Sequence, residues 1–353
     1  MAPPVTVWTI EKIVPGGAGM ARLSDGRVGF ASGALPGERI EVGALQMKKS
    51  YVTARAFRVL QPSEARVAPA CAFAAACGGC DFLHVEYTAQ LSYKAAMIQE
   101  ALARTAGLRA LPPVEVEPSP EVLGYRSRIR LHLDPEGRVG FHARQSHELV
   151  EISACVVARP ELSTALARLR RLVREHRAFV RPYSEAELRW APAAARVSCR
   201  LTLRSPALQK TLESTPLLKA LAEDFDLSVP GIVSSSKVIH RWPLVEGLSL
   251  DVPVEAFVQV NWQVNQSIVS AVCRGAAARA AETFLDLYSG AGNFALALLN
   301  AGLTGHAVET QPDAVHAAQR SLRARGLSPD LILVQDAAAA LRARIAAPPI
   351  DLL

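Results

Sequence analysis

Apolar and polar residues alternate in short runs over residues 5–10, 27–31, 39–44 and 50–60, and the clusters Gly16-Gly17-Ala18-Gly19, Ser24-Asp25-Gly26 and Leu35-Pro36-Gly37-Glu38 separate those runs. Period-two alternation broken by turn residues at this spacing predicts a small closed or half-closed β-barrel of OB-like form at the amino terminus. Residues 62–69 read as a linker. The period then changes: Leu91, Ala95, Ile98 and Leu102 recur at helical spacing within residues 86–106, and Gly107 follows as a stop. Residues 114–258 predict a mixed α+β region with strands at 129–133, 140–143, 197–203, 231–238 and 248–252, and an arginine-dense helix at 161–179. From residue 276 onward strands (283–287, 305–309, 331–334) alternate with helices (293–301, 312–325, 337–345), and a fourth strand begins at 350–353. Short connections and right-handed crossovers make this segment a parallel, doubly wound sheet. The expected class is α/β in three domains: a barrel at 1–62, a central α+β domain at 63–258, and a Rossmann-like domain at 259–353 that stops in mid-sheet. The helix at 84–108 is expected to pack on the last of these.

Composition narrows the classes. A chain of 353 residues, 50% apolar and 20% charged, carries real cores, which excludes wholesale disorder. No uncharged apolar window reaches the roughly 18 residues of a membrane span, and the start MAPPVTVWTIEK lacks the features of a secretion signal, so a cytoplasmic location is expected. The net charge of +6 is a mild pull toward a polyanion, so the placement of the cations matters more than their number. Residues 5–60 hold eight Lys plus Arg against four acids. Arg126, Arg128 and Arg130 alternate along a strand and so share one face, which suits an RNA phosphate backbone; a solvated strand face is the competing reading.

Two motifs carry chemistry. Cys71-x5-Cys77-Gly78-Gly79-Cys80 gathers three of six cysteines into ten residues, too sparse overall for a disulfide scaffold and close enough locally to share one metal or cluster. Cys155, after a strand-like run, is the best fourth ligand over Cys199 and Cys273. Spacing leaves four-thiolate zinc and a 4Fe-4S cluster both open. His84, four residues past Cys80, reads as a packing or capping residue before a ligand. The second motif is the strand Phe284-Leu285-Asp286-Leu287 running into Tyr288-Ser289-Gly290-Ala291-Gly292-Asn293 and then a helix. Such a glycine turn brings backbone N–H groups to a ligand at the strand's carboxyl end. Glu309 at the end of the second strand suits ribose hydroxyls, and Asp336 just past the third suits an adenine edge. Ala295 replaces the third glycine of the dinucleotide pattern, which favours a methyl donor over a dinucleotide.

Taken together, these motifs resemble the RNA uracil-5-methyltransferase family, in particular its cluster-containing ribosomal RNA branch. The resemblance spans the chain through Pro15-Gly16-Gly17-Ala18-Gly19, the cysteine cluster, Gly124-Tyr125-Arg126-Ser127-Arg128-Ile129-Arg130, Gly140-Phe141 through Ser146-His147-Glu148 to Cys155, Phe257-Val258-Gln259-Val260-Asn261, and the 286–293 loop. It implies a 4Fe-4S cluster on Cys71, Cys77, Cys80 and Cys155. It implies S-adenosylmethionine held by Gln259, Tyr288, Gly290, Gly292, Asn293, Glu309 and Asp336, and an amino-terminal barrel of TRAM-like, RNA-binding kind. The implied reaction is methylation of uridine C5 in RNA, with 23S ribosomal RNA favoured over transfer RNA. In that chemistry a cysteine thiolate adds to uracil C6 and a carboxylate later removes the C5 proton. Both groups lie, in the family, beyond the fourth strand. No residue of this chain is therefore assigned as catalytic, and residues 1–353 alone are expected to be inactive. A fragment, a frameshifted product and a second chain completing the domain all fit that expectation, and a noncatalytic RNA- or cofactor-binding remnant is the alternative function.

Overall fold

The computed structural model describes residues 6–351 apart from 109, 195, 212–214, 234–238, 246 and 345–349. It divides into two compact units, Met1–Pro118 with His142–Glu148, and Ser119–Phe141 with Leu149–Leu353.

In the first unit, strands β1 (Thr6–Thr9), β2 (Lys12–Ile13), β3 (Ala18–Arg22), β4 (Val28–Ser32), β5 (Arg39–Met47) and β6 (Tyr51–Gln61) form one sheet in the order β1-β5-β6-β4-β3-β2. The edge strands are consecutive in the chain. Between them Ile10 N donates to Glu38 O and Glu11 N to Met20 O, so the sheet is curled around Trp8, Ile10, Ile40, Val42, Val52 and Ala54. The segment expected to be a linker is pinned instead. The fully buried Glu38 accepts from Leu35 N, from Ser63 N and from the Arg66 guanidinium. Burial pushes the Glu38 pKa up, but Arg66 and the backbone donors outweigh it and hold the carboxyl below its ordinary value.

Helix α1 (Tyr87–Thr105) starts where Glu86 accepts from Ala89 N at 3.1 Å, and Gly107, at φ +68°, ends it. Its inward face differs from the expected one. Ala89, Tyr93 and Met97 pack on Ile13, Leu35 and Val85, whereas Ile98 is 48% exposed. Leu91, Ala95 and Leu102 of the expected face are half-buried as well.

The second unit contains β7 (Arg128–Leu133), β8 (Val139–His142), β9 (Leu149–Glu151), α2 (Pro160–Glu175), β10 (Tyr183–Arg189), β11 (Ser198–Leu203), α3 (Pro216–Asp224) and β12 (Asp226–Ser228), with sheet order β12-β11-β10-β7-β8-β9. Ile129, Leu131, Ala186, Leu188, Cys199 and Leu201 are buried on one side of this sheet, and α2 lies against β10 and α3. The hairpin β13 (Ile239–Pro243) and β14 (Ser249–Pro253) leads into α4 (Trp262–Ala278). Of the strand expected at 231–238, residues 234–238 lie outside the described residues, and Val233 only bridges to Val229.

The alternating segment forms as expected: β15 (Thr283–Leu287), α5 (Ala295–Asn300), β16 (Thr304–Glu309), α6 (Pro312–Arg323), β17 (Ile332–Val334) and α7 (Ala337–Arg344), with β15, β16 and β17 paired in parallel. Gly305 permits the pairing, since a Cβ there would lie 2.2 Å from Phe284 O. The core joins Trp242, Leu250, Trp262, Phe284, Leu296, Val315, Leu322 and Ile332. Residue 345 of the expected third helix and residues 352–353 of the expected fourth strand lie outside the described residues; Asp351 Oδ2 accepts from Glu282 N and Thr283 N at the start of β15, each at 2.9 Å.

Candidate cofactor site and charged sheet face

The loop between β15 and α5 is held in an unusual backbone form. Tyr288, Gly290 and Gly292 have φ of +60°, +57° and +91°. A tyrosine in the left-handed region is strained by roughly 1 kcal/mol or more, a cost found mainly at functional loops. Tyr288 is also 74% exposed, so its own packing does not offset that strain. Ser289 N donates to Val308 O, and Gly292 N and Asn293 N turn back onto Ser289 O. The Ser289 hydroxyl is buried with no hydrogen-bond partner. A buried polar atom without a partner, next to two glycines at a strand's carboxyl end, is what a polar ligand would satisfy.

Glu309 organises this loop. Its Oε2 accepts from Gly290 N at 3.0 Å; its Oε1 accepts from Thr310 N at 2.6 Å, Thr310 Oγ1 at 3.1 Å and Gln311 N at 2.9 Å. Burial raises its pKa, but the N–H groups of Gln311, Gly290 and Thr310 prevail, and the carboxyl is held below its ordinary value. It is a fixed anion with acceptor capacity left at Oε2. Asn293 exchanges two amide hydrogen bonds with the buried Asn265 of α4, at 2.8 and 3.0 Å. Asp336 Oδ1 accepts from Ala339 N at 2.9 Å and caps α7. Gln259 is exposed in the segment before α4, where Asn261 Oδ1 accepts from Val264 N.

Sequence reasoning left out two residues of this network. Asp286 accepts from Ala295 N at 3.0 Å, closing the loop across the start of α5, and burial pushes its pKa up to about 6 despite that bond, with Glu309 adding to the rise. The carboxylate stood in the motif, but nothing local marked it as desolvated. Asn265 had no signal, because its partner is 28 residues away.

The cysteines are arranged less simply. Cys71, Cys77 and Cys80 are half-buried in one loop of the first unit. Gly78 N donates to His142 O, and a Cβ on Gly78 would come within 3.0 Å of the Arg144 backbone, so the loop lies flat on residues 142–144. Gly79 N points at Cys77 Sγ at 3.4 Å. Cys155 is half-buried in the second unit. Among the described residues, no group of three His, Cys, Asp or Glu is placed to hold a metal ion. His84 is half-buried, and burial, with Arg66 next, keeps its imidazole below its ordinary pKa.

Of the three arginines expected on one strand face, Arg128 and Arg130 lie in β7 and flank Glu187 of β10 at 3.9 and 3.7 Å. Arg128 also lies over the exposed Phe257 ring, 5.4 Å from its centroid. Arg126 precedes the strand and bridges by backbone to Ala158 and Asn261. Cys199 is fully buried with its thiol pushed up to about 12, which makes it inert, and Cys273 sits half-buried on α4.

A parallel sheet whose first strand runs through a strained glycine loop into a helix, with an acid at the end of the second strand, is a Rossmann-like arrangement within a mixed α/β chain. No family model matches the chain. The 23S rRNA (uracil(1939)-C(5))-methyltransferase RlmD of Chromohalobacter salexigens is 32% identical over 339 residues, 90% of this chain and 69% of the relative. Its counterpart in Pectobacterium atrosepticum is 31% identical over 328 residues, 91% and 71%. The chain belongs to the RNA uracil-C5-methyltransferase family and is, by family, such an enzyme. In structure it is similar to the tRNA (uracil-54, C5)-methyltransferase of Pyrococcus abyssi, solved with S-adenosyl-L-homocysteine: the TM-score is 0.68 at 22% identity, over 92% of this chain and 78% of that one, a likeness of fold. An alignment over nine-tenths of this chain lends no support to the expectation of a truncated domain, nor does any of these names point to a second chain. No helix of the described residues is long and apolar enough to cross a membrane.

Proposed function

We propose that this chain binds S-adenosylmethionine and ribosomal RNA, in the cytoplasm, for methyl transfer to C5 of a uridine in 23S RNA. The observation that carries the reading is the Glu309 network, which joins the glycine loop to the end of β16 through Gly290 N at 3.0 Å and leaves the buried Ser289 hydroxyl without a partner. Gln259, Tyr288, Gly290, Gly292, Asn293, Glu309 and Asp336 would hold the cofactor. When bound, S-adenosylmethionine supplies an electrophilic methyl group on a sulfonium. Glu309 offers its free acceptor capacity to a ribose hydroxyl, and Asn265 keeps Asn293 oriented. Residues 1–62 serve as an OB-like, TRAM-like RNA-binding module, 63–258 as the central domain and 259–353 as the cofactor domain.

Uracil C5 becomes nucleophilic only after a thiolate adds to C6. Cys199, with its inaccessible thiol, is unsuited to that task, and Cys273 faces the core around α4. Titration calorimetry with S-adenosylmethionine and binding of unmodified 23S fragments test the reading, and failure to bind S-adenosylmethionine would overturn it.

Cys71, Cys77, Cys80 and Cys155 are proposed as ligands of a 4Fe-4S cluster, on the support of four half-buried thiols and an N–H aimed at one sulfur. Anaerobically purified protein is expected to be coloured and to lose that colour on Cys77→Ser substitution. Stoichiometric zinc without iron would replace the cluster by a structural zinc site.

A further inference from the structure

The side of the β7-β10-β11-β12 sheet opposite its buried apolar residues is a charged surface with too few acceptors. Register sets Arg128 beside Arg189 and then Ser198, Arg130 beside Glu187 and then Arg200, and His132 beside Glu185 and then Thr202. Arg189 is 3% exposed; its Nη1 donates to Ala256 O at 2.6 Å and its Nη2 to Glu187 Oε1 at 3.1 Å, but its Nε is buried without an acceptor. Among the described residues Glu187 is the one carboxylate near three cations, Arg189, Arg130 and Arg128, at 3.1, 3.7 and 3.9 Å. Arg200, across β10 from Arg130, is half-buried, has a buried Nε without an acceptor, and has no carboxylate partner among the described residues.

His240 of β13 joins the same cluster. It is 3% exposed and both ring nitrogens are buried without partners. Burial first, then Arg189, lower its pKa against the opposing pull of Asp226, so it adds no charge at neutral pH. Burial also lowers the pKa of Arg189; Glu187 opposes this, while Arg128 and Arg200 reinforce it. Like charges gathered around unsatisfied donors are stable when an oxyanion with several acceptor oxygens lies among them.

We propose that Arg200, together with Arg128 and with Arg189 behind them, forms a seat for one phosphodiester of the bound RNA, carrying the phosphate track of β7 across β10 onto β11. β7 and β11 are two strand spacings apart, about 10 Å, and side chains of this length can converge across that gap on one phosphate. The seat rests on the reading that RNA is the substrate, and it adds a strand and a residue that the arginine pattern at 126–130 does not reveal. Arg200 is the contact residue; Arg189, held by Ala256 and Glu187, is a positioning residue.

The test compares the full chain with Arg200→Gln and Arg200→Lys in binding an unmodified 23S fragment across a salt series. S-adenosylmethionine titration and thermal melting of each variant verify folding. Arg200→Gln is expected to bind about tenfold more weakly at low salt and to lose about 0.7 to 0.9 from the slope of log K against log salt, the loss of one phosphate contact. Arg200→Lys keeps the slope and loses only part of the affinity, because charge remains and the fork does not. RNA binding by the parent with an unchanged slope in Arg200→Gln would overturn the seat alone. No RNA binding by the parent would overturn the RNA reading and the seat with it. Inorganic phosphate, matched in ionic strength with chloride, supplies the last arm: if it raises the melting temperature of the parent but not of Arg200→Gln while the RNA slopes coincide, the site takes free anions, and the assignment to RNA fails.

Discussion

Replacing Glu309 by alanine is expected to weaken S-adenosylmethionine binding by about 10- to 150-fold. A charged acceptor lost from a ribose hydroxyl accounts for roughly 1.5 to 3 kcal/mol, and each 1.4 kcal/mol is tenfold. The structure adds a second cause. The same carboxylate accepts from Gly290 N, Thr310 N, Thr310 Oγ1 and Gln311 N, so its removal also frees the glycine loop from the end of β16. Glu309→Gln separates the two: its amide oxygen still serves some of these donors, and affinity is expected to fall between parent and Glu309→Ala. Titration calorimetry decides, and equal affinities for parent and Glu309→Ala would mean that the ribose is held elsewhere.

Asp286 is expected to make the fold less stable as the pH rises. Burial pushes its pKa from 3.8 up to about 6, and Glu309 adds to the rise against the hydrogen bond from Ala295 N. Between those values the folded chain binds more protons than the unfolded one, so this residue's contribution is most favourable below pH 3.8 and is lost as the pH climbs through about 6. About two pKa units correspond to about 2–3 kcal/mol. Asp286→Asn keeps an oxygen for Ala295 N and removes the buried charge. At pH 7.5 the variant is expected to melt on the order of 3–4 °C above the parent, with the gap closing toward pH 4. Melting curves that run parallel from pH 4 to 7.5 would show that Asp286 is not the titrating group.

The segment from β15 onward was legible because its signals are local. β15, the glycine loop, β16 and Glu309 each follow from a few neighbouring residues: an apolar run, a turn that tolerates positive φ, an acid at a strand end. β10 was not legible. Its sequence, Tyr183-Ser184-Glu185-Ala186-Glu187-Leu188-Arg189, presents charges on one face that resemble an exposed helix or loop until β7 and β11 flank it. The inward face of α1 went unread for a related reason: a weakly patterned helix takes its orientation from the core offered to it, here Ile13, Leu35 and Val85.

By itself, then, the sequence determined the order of elements in the parallel sheet, the glycine loop with its acid at Glu309, and the motifs that mark the family, since these depend on residues within a turn or two of one another. Only the tertiary structure decided which side chains share an environment. It paired Asn265 with Asn293, desolvated Asp286, buried Glu38 against Arg66, sealed Cys199 in the core, and stacked Arg189 and Arg200 beside Arg128. Desolvation and unsatisfied hydrogen bonding are properties of what surrounds a group in space. Residues from other elements supply those surroundings, and no pattern along the chain records them.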